Sequence, residues 1–200
     1  HNAFTPTIQP SPMICLVGNR PVLQVGRHQV TGYDTAWLRE TIMRGAVAAE
    51  REDFPFIDDL MEGIIHYLEN KCSLRVITVE ELHSRVRRML ERIGCDAIAS
   101  TLPLISPPVT LSLMRAAKEA GNGFELAFFN QIHDEIEELR IHGVEELYFT
   151  GTRDCVRVLR GVERWTNPCE QLHGEILDFL KTHGHSTLPN QKEIRLNLTQ

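Results

Sequence analysis

No stretch of this 200-residue chain reaches the roughly 18 consecutive apolar residues of a membrane helix, so no membrane partner is expected. Cysteine is scarce and badly placed for cross-linking. Cys15, Cys72, Cys95, Cys155 and Cys169 are odd in number, widely spaced and free of any CxxC pair, which excludes a disulfide framework and a paired-cysteine zinc site. Reduced thiols and a cytoplasmic location are the expectation. Positive charge is also in short supply: 21 Lys and Arg against 27 Asp and Glu give a net charge of −6, which argues against nucleic acid as a partner. No GxSxG, Walker lysine motif or GxGxxG occurs, and no Cys and His stand in a nucleophilic signature, so nothing marks an enzyme. The first residues lack the basic and apolar regions of a signal peptide, and 1–12 read as a flexible lead-in. What is present is enough apolar material, 42%, to bury a core, with charged residues at an ordinary 24%.

Met13 to Val17 reads as a short apolar strand, and the stretch broken by Gly18, Gly26 and Gly32 as a small antiparallel element. Asp34 or Thr35 caps a helix with Leu38, Ile42, Gly45, Ala46 and Ala49 on one face. A second helix carries Ile57, Leu60, Met61, Ile64 and Leu68. A strand over 74–78 then leads to Thr78 and Glu81, at capping-box spacing. The helix they open puts Leu82, Val86, Met89, Leu90 and Ile93 on one side and stops at Gly94, with a short helix from Cys95 to Ser100 after it. Pro103, Pro107 and Pro108 mark a boundary. Beyond it the pattern predicts a helix from Ser106 to Gly121, a strand over 124–129, an acidic helix with Ile132, Ile136 and Leu139, and a strand over 146–150, the two strands forming a βαβ unit. Another helix starts near Cys155. The last follows Pro168 with Leu172, Ile176, Phe179 and Leu180, and a polar frayed tail is expected from His183.

The order of elements from about 20 to 102 resembles the ATP-cone domain, the allosteric nucleotide sensor of ribonucleotide reductases. Residues Val22-Leu23-Gln24-Val25-Gly26-Arg27 align with the family's Val-x-Lys-Arg-Gly-Arg strand, Tyr33-Asp34 with the pair that opens its first helix, and Ile77-Thr78-Val79-Glu80-Glu81-Leu82-His83 with the start of its third. The resemblance implies a helix-rich cone-like domain on a small sheet, assigned to 13–105; the strand and helix pattern beyond the prolines adds a smaller C-terminal α/β unit with a βαβ core over 106–200, so the fold expected is α/β. It also implies self-association or another protein partner. Gln24 and Val25 replace the family's Lys-Arg pair, and Trp37 replaces a helix lysine, which removes charge-assisted phosphate contacts. A non-catalytic regulatory or scaffolding protein with a degraded nucleotide site is therefore expected. The alternative is an ATP- or dATP-sensing regulator using Gln24, Gly26, Arg27, Arg39, Thr78 and His83, with Trp37 stacking on a base.

Other clusters compete with plainer readings. Gly151, Thr152 and Arg153 follow a strand and open a helix, where unpaired amides favour an anion; a small enzyme acting on a phosphorylated substrate would use this turn, although Asp154 or Thr152 simply capping a helix explains it as well. Cys155 reads as a core thiol. Arg85, Arg88 and Arg92 share a face that could meet phosphate, but local pairing with Glu81 and Glu91 accounts for it. Cys169, His173, His183 and His185 are the nearest approach to a metal set and lack a ligand motif, so no metal is assigned. Asp134, Glu135, Glu137 and Glu138 read as the solvated face of their helix.

Overall fold

The computed structural model describes residues 19–184 and 194–199, so the strand expected at Met13–Val17 lies outside the described residues. The fold is mixed and helix-rich, with two three-stranded sheets among these residues. β1 (Val22–Val25) and β2 (His28–Val30) form a hairpin whose two-residue turn places Gly26 at φ 55°, the position where a type II′ turn favours glycine. β3 (Val76–Thr78) pairs parallel to the other side of β1, giving the order β2-β1-β3 and leaving β2 at an edge.

The helices of this half follow their sequence signals closely. The Asp34 carboxylate accepts from the Ala36 amide at 2.9 Å and starts α1 (Ala36–Ala48). α2 (Ile57–His66) continues into a π-helical turn over Tyr67–Lys71. Thr78 Oγ1 accepts from the Glu81 amide at 3.1 Å, capping α3 (Val79–Arg92). Glu81 does not complete the reciprocal box, because its carboxylate turns to Arg85 and Arg88. Thr78→Ala is expected to cost about 1 kcal/mol, the usual worth of an N-cap side chain, read as a lower denaturant midpoint at constant slope. α4 (Asp96–Thr101) docks on α1 through the Thr101 hydroxyl, which donates to the Gly45 carbonyl at 2.8 Å. One core assignment is corrected: Ile93 follows the last turn of α3 and is 54% exposed instead of buried.

The second half departs more from expectation. Residues expected to form one helix from Ser106 divide into β4 (Val109–Ser112) and α5 (Leu113–Ala120), and Ser112 is the cap, accepting from the Arg115 amide at 3.3 Å. Pairing with β5, which buries Val109 and Leu111 against the core, outweighs the helical spacing. The strand expected over 124–129 is instead the start of α6 (Glu125–Ile141), where Phe128 joins Ile132, Ile136 and Leu139 in one buried stripe. The crossover is therefore real, but it runs from β4 through α5 and α6 to β5 (Glu146–Thr150). α7 (Thr152–Arg160) and α8 (Asn167–Gly184) follow, and the chain then returns as β6 (Arg195–Leu198), parallel to β5, where a frayed tail was expected. The sheet order β4-β5-β6 leaves β4 at an edge, and the buried apolar residues form a continuous core through both halves. Among the described residues no helix is long and apolar enough to cross a membrane.

Candidate functional site

α6 carries a buried apolar stripe and, about 100° round its axis, a partly buried polar one. One, through Phe128, Ile132, Ile136 and Leu139, meets its own half. The other, Gln131, Glu135, Glu138 and His142, repeats at alternating spacings of four and three; Gln131 holds Glu119 and Glu135, and the last three residues meet the N-terminal half. Glu138 accepts from the Arg27 amide at 3.0 Å and from its guanidinium at 2.6 Å. Glu135 lies 3.3 Å from His28 Nε2, and His142 Nδ1 pairs with Glu80. Just past the helix, Glu145 takes two hydrogen bonds from Arg44, at 2.8 and 2.9 Å.

Glu135 is the centre of this arrangement. Only 5% exposed, it also accepts from Gln131 at 3.2 Å and from Arg115 at 3.2 and 3.3 Å. Burial pushes its carboxyl up, but the hydrogen bonds from His28 and Gln131 and the charge of Arg115 outweigh burial and hold it below its ordinary value. The acidic run is thus not simply a wet face: Glu135 and Glu138 are structural ligands of the hairpin. Their partners lie in the distant β1–β2 turn, so no local pairing rule identifies them. The repeat of Gln131, Glu135, Glu138 and His142 was the available signal.

Beside this stripe a crevice opens between the outer edge of β2 and the edge strand β4. One basin of 430 Å³ is lined on one side by Gln29, Val30, Tyr33 and Trp37. Pro107, Pro108, Val109 and Thr110 line its other side. An adjoining basin of 690 Å³ shares His28, Gln29 and Thr110 with the first and extends to Arg115, Glu119 and Glu135. Two ring nitrogens in this wall, Trp37 Nε1 and His28 Nδ1, are buried without a hydrogen-bond partner. Unsatisfied buried polar atoms are uncommon enough to single out the places where they gather.

The residues expected to hold a nucleotide do not converge. Gln24 bends its amide onto the Gly26 carbonyl at 2.6 Å, and Arg27 is held by Glu138. Arg39 pairs with Asp58 on the surface. Thr78 is occupied as a cap, and His83 Nε2 sits 3.0 Å from the Leu102 carbonyl oxygen. Trp37 and Arg27 line the two basins of the crevice, while Arg39, Thr78 and His83 line neither. Arg85 and Arg88 pair with Glu81, and Glu91 pairs with Arg87 instead of Arg92.

At the other expected site, Gly151 is left-handed at the start of α7, and the Arg153 guanidinium lies 4.3 Å over the Trp165 ring. That stack turns the only cation of the Gly151–Thr152–Arg153 turn onto an aromatic face. The Cys155 thiol donates to the Thr152 carbonyl, and burial pushes it up to about 12, as fits a core thiol. Cys169 touches the Thr166 hydroxyl, His173 packs edge-on against Trp165, and His183 stacks on Phe179; His185 lies outside the described residues. No group of three or more possible metal ligands is found among the described residues.

Comparison with known proteins returns no matching family model, no matching curated protein and no matching solved structure.

Proposed function

We propose that this chain is a non-catalytic regulatory or scaffolding protein that works through protein contacts, its N-terminal half a cone-like unit with a degraded phosphate site. The observation that carries this reading is the fate of Arg27. Its guanidinium and its backbone amide are both engaged by Glu138, so a phosphate arriving there would have to displace a carboxylate already bonded in two places. Thr78 and His83 are each occupied within the fold, and Arg39 pairs with Asp58 on the surface. An open apolar groove of 580 Å³ between α2 and α3, walled by Phe56, Leu60, Met89 and Ile93, adds a surface suited to protein contact.

A second reading, an ATP- or dATP-sensing regulator, draws on Trp37, whose indole lines the crevice with its N–H unsatisfied. A thermal-shift titration with ATP, dATP, ADP and inorganic phosphate separates the two, because a ligand that binds only the native state raises its melting temperature. No rise up to millimolar ligand is expected. A rise with adenine nucleotides that is lost in Arg27→Ala would overturn the scaffolding reading and install the sensor.

A further inference from the structure

We infer that the apolar groove between α2 and α3 is where a second copy of this chain docks, face to face across a twofold axis that runs along the groove. This rests on the protein-contact reading above and names the partner.

The two helices run antiparallel. Tyr67, just past the end of α2, packs against Arg85 in the first half of α3, with the guanidinium carbon 5.7 Å from the ring centre, so the start of α2 lies beside the end of α3. The groove opens at that end, with Phe56, Leu60 and Gly63 on the α2 side and Met89 and Ile93 on the α3 side. Phe56 is 58% exposed and Ile93 54% exposed, although both are large and apolar. Covering such a patch favours association. Gly63 leaves room beside them, since a Cβ built there meets nothing within 4 Å. One face therefore offers both the apolar side chains and the space to receive them.

The charges select the occupant. Asp59 and Arg92 stand on opposite walls of the groove, near the start of α2 and the end of α3. Both are exposed, and neither side chain has a hydrogen-bond or ion-pair partner among the described residues. The other arginines of α3, Arg85, Arg87 and Arg88, are all paired with glutamates of their own helix. A wholly acidic or wholly basic partner would set like charge against Asp59 or Arg92. A second copy meets both. Rotation by 180° about the length of the groove lays α2 of each copy over α3 of the other and brings Asp59 of one copy to Arg92 of the second. The same contact then occurs twice, because a twofold interface repeats every pair in reverse. With a net charge of −6 two copies repel at long range, so local attraction of this kind is what holds them together.

Sedimentation equilibrium of the full chain, from micromolar to millimolar at physiological salt, is expected to show the mass rising from one chain to two and no further, since a twofold contact closes. Phe56→Asp is expected to weaken the dimer at least about thirtyfold, as loss of a buried aromatic anchor does. That variant keeps its fold, because Phe56 occupies the N-cap position of α2, where aspartate is favoured. Asp59→Arg and Arg92→Asp are each expected to weaken the dimer about fivefold. Combining the two restores opposite charge at both contacts and is expected to return affinity to within a factor of about two of wild type. A mass of one chain at every concentration overturns the proposal. So does a mass that grows past two chains, a dimer left intact by Phe56→Asp, or a combined exchange no tighter than either single one. None of these results touches the protein-contact reading itself, which falls only if adenine nucleotides raise the melting temperature and Arg27→Ala abolishes the rise.

Discussion

Replacing Gly143 by alanine is expected to destabilise the chain by about 3 kcal/mol, lowering the melting temperature by roughly 6–12 °C for a protein of this size. Gly143 is the left-handed residue that ends α6, with φ 80°. Its amide donates to the Arg140 carbonyl at 3.1 Å, and the next amide, of Val144, reaches back to the Leu139 carbonyl at 3.0 Å, the paired bonds of a Schellman motif. Left-handed strain alone would account for about 1 kcal/mol. The larger part comes from packing: an added Cβ would press into the Leu104 carbonyl group and lie 3.3 Å from Ile105 Cα, both backbone atoms that cannot swing aside. Moving that segment also disturbs the bond from the Ser106 amide to the Gly143 carbonyl, at 2.9 Å. A melting temperature within about 1 °C of wild type would show that residues 104–106 yield freely, against this account.

Glu135→Ala is expected to cost about 2–3 kcal/mol, because it strands the groups that converge on a buried carboxylate. The figure sits below the range for a fully buried pair because Arg115 is half exposed and keeps Glu119 as a partner. The pH dependence has a definite sign. The folded carboxyl titrates below its ordinary value of 4.5, so its contribution is complete above that value and is lost as pH falls through the lower folded value. Wild type should therefore lose stability on acidification below about pH 4.5 more steeply than Glu135→Gln, which has no proton to take up there. Denaturant midpoints from pH 6 to pH 3 test this, and parallel curves for the two proteins would refute it.

The N-terminal half was largely legible because its signals are local. Thr78 caps the helix it precedes, Asp34 bonds the first amide of α1 from one residue before its N-cap Thr35, and Leu82, Val86 and Leu90 pack as their spacing requires. The C-terminal half was misread where tertiary position overrides local preference. Val109 and Leu111 occupy a buried parallel strand despite helical spacing, and the aromatic run at 124–129 is helical because Phe128 packs in register with Ile132. The crevice was barely legible: Trp37 and Arg27 were singled out for nucleotide contacts, but nothing in the linear order brings the edge of β2 opposite β4. The role of Glu135 depends on His28 and Arg115, which approach from different elements.

The polar stripe on α6 also has a kinetic side. Its links to the hairpin join residues 111 and 107 positions apart, its link to Glu80 spans 62, and the neighbouring Arg44–Glu145 pair spans 101. Closing such long loops costs entropy that single ion pairs cannot recover, so these bridges form only after each half has its own helices and sheet. They are accordingly expected to be the last native contacts to form and the first to open. Hydrogen exchange should find the amides around Arg27 opening well before the strands on either side, a breathing motion between halves that share one core.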